Sequence, residues 1–227
     1  MPEPWSDAGA MPLVLDLPFR GRWLTQNSPA RRVPSHGTHL FGVTYAVDFV
    51  AVDATGRSAP RSWRSRLSVE PPELFIGFGL PILAPSAARV IAAHDGEEDH
   101  VARRSQPALI PYALSQGRRI RSGATALAGN HVMLALGERG PFVTLAHLKR
   151  GSVKVRVGDA VSVGDRLGDC GNSGNSTEPH VHLQAADSPD PLVARGLPIA
   201  FRGYRRAGSG AVIAEGMPGE REIIEVD

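Results

Sequence analysis

The chain has 227 residues, 42% of them apolar, enough for a substantial core in one large domain or two small ones. Its formal net charge is +2, so no global field points to nucleic acid or to a membrane surface. A single cysteine, Cys170, excludes an intrachain disulfide, and no apolar run is long enough to span a bilayer.

Residues 1–11 read as a flexible lead, with acidic residues early and no secretory-signal pattern. Leu13 to Leu24 alternates loosely around Pro18 and Gly21, which predicts one bent edge strand. A polar loop follows from Gln26 to Gly37. Tyr45 to Val52 (YAVDFVAV) is dominated by β-branched, aromatic and apolar residues and predicts a strand. Asp48 sits inside it, between Val47 and Phe49. A carboxylate embedded in an apolar strand needs a cation or a metal as partner; otherwise the strand is an edge and Asp48 faces water. His36 and His39 precede it in a loop long enough to bring either imidazole back to the carboxylate. Pro34 and Gly37 favour a tight turn at His36.

Residues 54–72 read as a surface loop, and Leu74 to Gly79 as a short apolar strand. Pro81 to Pro85 leads into a strand over Ala88 to Ala93. Asp95-Gly96 is a turn signal, and His94, Glu97, Glu98, Asp99 and His100 read as a solvated hairpin tip. Residues 101–125 read as an insertion near the groove, with a short helix over Ile110 to Arg119. Gly129 to Leu136 and Phe142 to Leu148 predict a hairpin. Strict alternation places Val143, Leu145 and His147 on one inward face. His131 lies near the start of the partner strand, beside the site or on the surface. Val153 to Val157 and Ala160 to Val163 read as short strands separated by Gly-Asp turns. That rhythm is similar to lipoyl- and biotinyl-type domains. Neither Lys149 nor Lys154 sits in a turn beside methionine, so the carrier function is not expected.

The run from Asp169 to Asp187 centres on His180-Val181-His182. On a strand, residues two apart share a face, so both histidines look into one space, with Gln184 following them. Two such imidazoles suit a metal site, or one ligand beside one acid–base group; the plain alternative is an exposed strand face. Cys170 reads as a small buried thiol. Pro198 to Tyr204, Ala211 to Ala214 and Glu222 to Val226 read as terminal strands. The expected architecture is mainly β: two packed antiparallel sheets with a groove, lipoyl-like half-barrel elements and few short helices. Residues 1–25 form a lead and edge strand, 26–200 a single β domain with an insertion around 94–127, and 201–227 strands on the same domain.

Five features occur in a telling order: the Pro81 to Val90 turn and strand, Gly129-Asn130, Ala146-His147-Leu148, the Val-Gly-Asp turns, and Gly171-Asn172-Ser173-Gly174-Asn175-Ser176 running to His180-Val181-His182. In this the chain resembles the lysostaphin-type zinc endopeptidases, which cut peptide cross-links of bacterial cell walls. The resemblance runs from about Leu74 to Ala186, with a weaker match from Arg31 to Val50. It implies one zinc ion per chain held by His36, Asp48 and His182, with His147 and His180 as the two catalytic histidines. It implies a monomeric enzyme whose partner is a peptide or peptidoglycan substrate, acting in the cell envelope or outside the cell. The early motif departs from the family, where the first His usually stands four residues before the Asp; here Thr44 stands there. That departure keeps an alternative open: a catalytically silent relative that binds wall peptide or activates another hydrolase.

Overall fold

The computed structural model describes residues 11–61, 68–103 and 124–227. The chain opens with β1 (Leu13–Asp16), β2 (Gly21–Gln26) and β3 (Val47–Ala51). Next come β4 (Pro81–Leu83), β5 (Ala88–His94) and a short helix α1 (Ala124–Ala128). The β6 (Asn130–Ala135) and β7 (Phe142–Leu148) hairpin follows, then β8 (Ala160–Val161), β9 (Arg166–Asp169) and β10 (Val181–Ala186). The last strands are β11 (Ile199–Arg206), β12 (Val212–Gly216) and β13 (Ile223–Val226).

Eleven strands make one large sheet, in the order β1-β11-β13-β2-β3-β10-β7-β6-β5-β8, with β12 added on β11; β4 and β9 make a second, small sheet. Pairing is antiparallel except for β1 on β11. The protein is thus mainly β, with two sheets and few short helices among the described residues.

The alternation of side chains decides which face does what. Val47 and Phe49 of β3, Val181 and Leu183 of β10, and Val143 and Leu145 of β7 all enter one apolar core. Ile82 and Leu167 of the small sheet pack into that core. Further along, Phe19 stacks on Trp23 at 4.3 Å and Phe49 meets Phe201 edge-on at 5.5 Å. Each fully buried ring of this kind contributes roughly 1.5–3 kcal/mol. The opposite face of the large sheet carries Asp48, Ala146, His182 and Gln184, and they line a groove of about 780 Å³. The core takes one face of these strands and the groove the other.

Several sequence expectations need correction. Leu13 to Leu24 is two strands, and only β1 lies at the end of the sheet; β2 is interior, between β13 and β3. Leu74 to Gly79 is no strand: a 3₁₀ turn over Pro72–Leu74 runs into further turns. Phe75 alone of its apolar residues is fully buried, while Leu74 and Ile76 face solvent. Val153 to Val157 is extended but forms no ladder; the Lys154 amide bonding the Leu167 carbonyl is its strand-like contact. The 54–72 loop is not wholly superficial, since Ala59 packs with Phe75 and Ala102 and Glu70 is buried. The helix expected over Ile110 to Arg119 lies outside the described residues, as does most of the insertion containing it.

The acidic run after β5 is not a hairpin tip but a strap. Asp95 accepts the Gly151 and Val153 amides, and Asp99 accepts those of Arg150 and Asn172. The His100 ring meets the Gly174 carbonyl at 2.7 Å. Local sequence does not mark this strap, because the partners of Asp95 and Asp99 are backbone amides fifty or more residues away.

Cys170 is fully buried in the core, and burial pushes its thiol far above the ordinary range. The native thiol should therefore resist a neutral-pH disulfide reagent and react only after denaturation. Labelling of the folded protein at the rate of a free thiol would contradict this placement.

Candidate metal centre

Strand register assembles the site. On the β3–β10 pair, Asp48 stands directly opposite His182, and on β10–β7, His182 stands opposite Ala146. Directly opposed residues have Cβ atoms about 4.5–5.5 Å apart, so a carboxylate and an imidazole must meet. The Asp48 Oδ1 lies 2.9 Å from His182 Nδ1 and 3.7 Å from His180 Nε2. Its Oδ2 lies 3.1 Å from His36 Nε2 and accepts a 2.7 Å hydrogen bond from Asn27 Nδ2. One atom each from His36, Asp48 and His182 lies within 4.8 Å of the others. His39 does not join them; its Nδ1 faces the Thr44 hydroxyl at 3.2 Å.

The loop brings His36 back because it is tightly folded. The Ser35 amide bonds the Thr44 carbonyl, and Leu40–Tyr45 forms a 3₁₀ segment interrupted by Phe41 (φ 59°) and Gly42 (φ 75°). Asn27 was missed in the sequence. It follows Gln26, which stands opposite Asp48 in the β2–β3 register, and its own φ of 51° turns the side chain onto the carboxylate.

His147 and His180 approach from the other side. Their rings are centred 4.7 Å apart, and His147 is 5.8 Å from His182. His147 corrects the alternation argument. Val143 and Leu145 do face the core, but His147 has φ 62°, in the left-handed region that non-glycine residues rarely adopt. A register irregularity between Asn130 and Val132 accompanies the turn. Its side chain therefore swings out of the core series and into the groove. Such a conformation costs about 1–3 kcal/mol and persists only where the surroundings enforce it. Here the Nδ1–H of His147 donates to the Ser173 carbonyl at 2.9 Å.

The Asn-Ser-Gly loop that supplies this carbonyl is itself locked. Ser173 Oγ donates to the Leu148 carbonyl and accepts the Asn130 amide. The Asn130 side chain accepts the Gly96 and Glu97 amides. Gly129 and Gly174 touch backbone to backbone: a Cβ on either would stand 2.5 Å or less from the other's nitrogen. His180 is tied similarly, its Nδ1–H on the Glu178 carbonyl at 2.8 Å with Ser176 Oγ at 2.9 Å.

The electrostatics follow from crowding. Burial alone would raise the Asp48 carboxyl, but His36, His180 and His182 together hold it well below the usual carboxylate range. Burial would lower His182; its bonds to Asp48 and Gln184 outweigh this and raise it. Burial, reinforced by His180 and His182, drives His147 well below the ordinary imidazole range, so it stays neutral. His131, stacked on His94 at 5.6 Å, is also lowered by burial and lines the same groove.

The donor set fits a divalent metal. His36 and His182 each turn one ring nitrogen to a protein oxygen, Ser35 Oγ and Gln184 Oε1 respectively, and the other to Asp48. Ser35 Oγ donates to the Val43 carbonyl, so it accepts from His36. Both inward nitrogens then present lone pairs to a carboxylate, an arrangement that requires a proton or a cation between them. Two imidazoles and a carboxylate, with one side open to a groove, are the donors of catalytic zinc sites.

The His36-Asp48-His182 cluster and two further histidines thus lie together at the groove of a mainly β chain. The model of peptidase family M23 matches residues 74–192, more than half of the chain, and the protein belongs to that family. The matched span contains His147, His180 and His182 but neither His36 nor Asp48. Among solved structures, the chain is similar to the catalytic domain of the antimicrobial peptidase lysostaphin from Staphylococcus simulans. That match has 20% identity, 67% of this chain and 74% of that one covered, and a TM-score of 0.38. The catalytic domain of a mutant of the prophage-encoded M23 protein EnpA from Enterococcus faecalis matches at 18% identity, with 67% and 73% covered and a TM-score of 0.39. The M23 metalloprotease pseudoalterin matches at 12% identity, with 82% and 75% covered and a TM-score of 0.40.

Proposed function

We propose that the protein is a zinc-dependent endopeptidase that hydrolyses peptide bonds in peptidoglycan, in its cross-links or stem peptides. The observation that carries this reading is the convergence of His36, Asp48 and His182 on one point beside two more imidazoles at the foot of a groove. His36, Asp48 and His182 would hold the ion. Zinc, when bound, supplies Lewis-acid polarisation of a carbonyl and acidification of water.

The chain's own residues do the rest. His147 and His180 each hold an Nδ1 proton on a backbone carbonyl, which fixes the tautomer and leaves Nε2 as a base. Neutral His147 accepts the proton of the attacking water as its oxygen bonds the carbonyl carbon. The amide C–N bond then breaks, and an imidazolium returns that proton to the departing nitrogen. His180 stabilises the oxyanion from Nε2 once that nitrogen, 3.7 Å from the Asp48 carboxylate, has taken up a proton of its own. An extended peptide fits the groove between the Leu40–Val43 wall and the Met133 side.

His36 lies 3.1 Å from Asp48 in spite of the displaced early motif, which supports the peptidase reading over a silent relative. Action at the cell envelope is part of the proposal. Among the described residues, no helix is long and apolar enough to cross a membrane. The test is incubation of zinc-loaded protein with purified peptidoglycan, reading release of new amino groups. Release that a chelator abolishes and zinc restores supports the reading; intact peptidoglycan with zinc bound overturns the substrate assignment.

A further inference from the structure

Gln184 stands two residues after His182 on the groove face of β10. Its Oε1 is 3.0 Å from His182 Nε2, and its Nε2 donates to the Phe41 carbonyl at 2.8 Å. A glutamine amide can be turned either way, presenting oxygen or NH₂ to its neighbour. The Phe41 carbonyl accepts and cannot donate, so it selects one orientation: NH₂ toward Phe41, oxygen toward His182. His182 must then carry its proton on Nε2, which leaves the Nδ1 lone pair for the inner site.

The Phe41 carbonyl is itself held in place. Phe41 and Gly42 occupy the left-handed region in succession, which aims this carbonyl at β10. Gly42 has no room for a side chain: a Cβ there would meet Ala186 Cβ at 3.1 Å, Ala194 Cβ at 3.3 Å and Gln184 Nε2 at 3.3 Å. The same loop carries His36 a few residues earlier. Two inner-site histidines from distant parts of the chain are thus tied to the same loop, His182 through Gln184 to the Phe41 carbonyl and His36 through Ser35 to the Val43 carbonyl.

We propose that Gln184 is a positioning residue and the Phe41 carbonyl its selector, together fixing the tautomer in which His182 can bind metal. The inference rests on the metal-site reading above, but its first test needs no metal. In zinc-free protein, ¹⁵N NMR of the His182 ring should show Nε2 protonated, and Gln184→Leu should lose that preference. In zinc titrations, Gln184→Leu should weaken affinity by about 10- to 100-fold, the usual effect of losing such a support. Gln184→Glu keeps an acceptor for His182 but sets its second oxygen against the Phe41 carbonyl, so it should recover part of the affinity lost in Gln184→Leu. Gly42→Ala touches no inner-site residue, yet should weaken zinc binding in the same direction as Gln184→Leu.

Unchanged His182 signals in Gln184→Leu overturn the proposal. Gln184→Glu as damaging as Gln184→Leu also overturns it, because packing rather than the acceptor would then matter. A Gly42→Ala variant with parental zinc affinity removes Phe41 as selector. Should the parent bind no zinc, the functional reading falls, while the ring-nitrogen signals still decide the tautomer.

Discussion

Asp48→Asn should bind zinc about 10²–10⁴-fold more weakly than the parent, corresponding to the roughly 3–5 kcal/mol lost when one partner of a buried charged cluster is removed. The substitution keeps the shape of the side chain and removes the charge. It also leaves a single oxygen. The carboxylate accepts from Asn27 and faces His36 at Oδ2, and faces His182 and His180 at Oδ1. An amide oxygen held by Asn27 turns the NH₂ toward His182, placing hydrogens where a metal would need an oxygen. Metal analysis after dialysis against a weak chelator reads the result directly: one zinc per chain in the parent, none in the variant. His39→Ala is the control, because His39 contacts Thr44 and not the carboxylate. Equal zinc content in parent and Asp48→Asn would remove Asp48 from the proposed ligand set.

His147→Ala should separate chemistry from metal binding. Zinc content should remain at the parent level while kcat falls by about 10²–10⁴-fold, the range for loss of a positioned acid–base group. The two variants thus fail differently, and metal analysis alongside single-turnover hydrolysis tells them apart. The backbone makes a second expectation. At φ 62°, alanine keeps the strain that histidine bears, whereas glycine is relieved of it. His147→Gly should therefore be as inactive as His147→Ala and at least as resistant to urea. A glycine variant clearly less stable than the alanine variant would contradict the strain account.

Much of this site was legible because strand alternation is a strict rule. His180-Val181-His182 splits as alternation requires, Val181 into the core and both histidines toward Asp48. A carboxylate inside YAVDFVAV needed a cationic partner, and three imidazoles surround it. The sequence was silent where backbone departs from regular geometry. His147 leaves its expected face through one positive φ, and nothing in Ala146-His147-Leu148 announces it. Asn27 reaches Asp48 through another. The β2–β3 register would have pointed to it, had β2 been separated from β1. The strap through Asp95 and Asp99 is written in acidic residues that look like any solvated turn, because amide partners carry no residue type. Leu74 to Gly79 was misread for a related reason: an apolar run of that length suits a turn with one buried ring as well as a strand.

The placing of β3 has a consequence for biosynthesis. Its neighbours are β2 and β10, and β2 is paired in turn with β13, whose residues lie at 223–226. On a ribosome adding about 5–20 residues per second, several seconds separate the emergence of Asp48 from that of His182 and of the strand bracing β2. During that interval the carboxylate has no imidazole from β10 beside it. A nascent chain that has not yet released β10 therefore lacks the full His36-Asp48-His182 cluster, and the proposed metal site forms only after His182 has emerged.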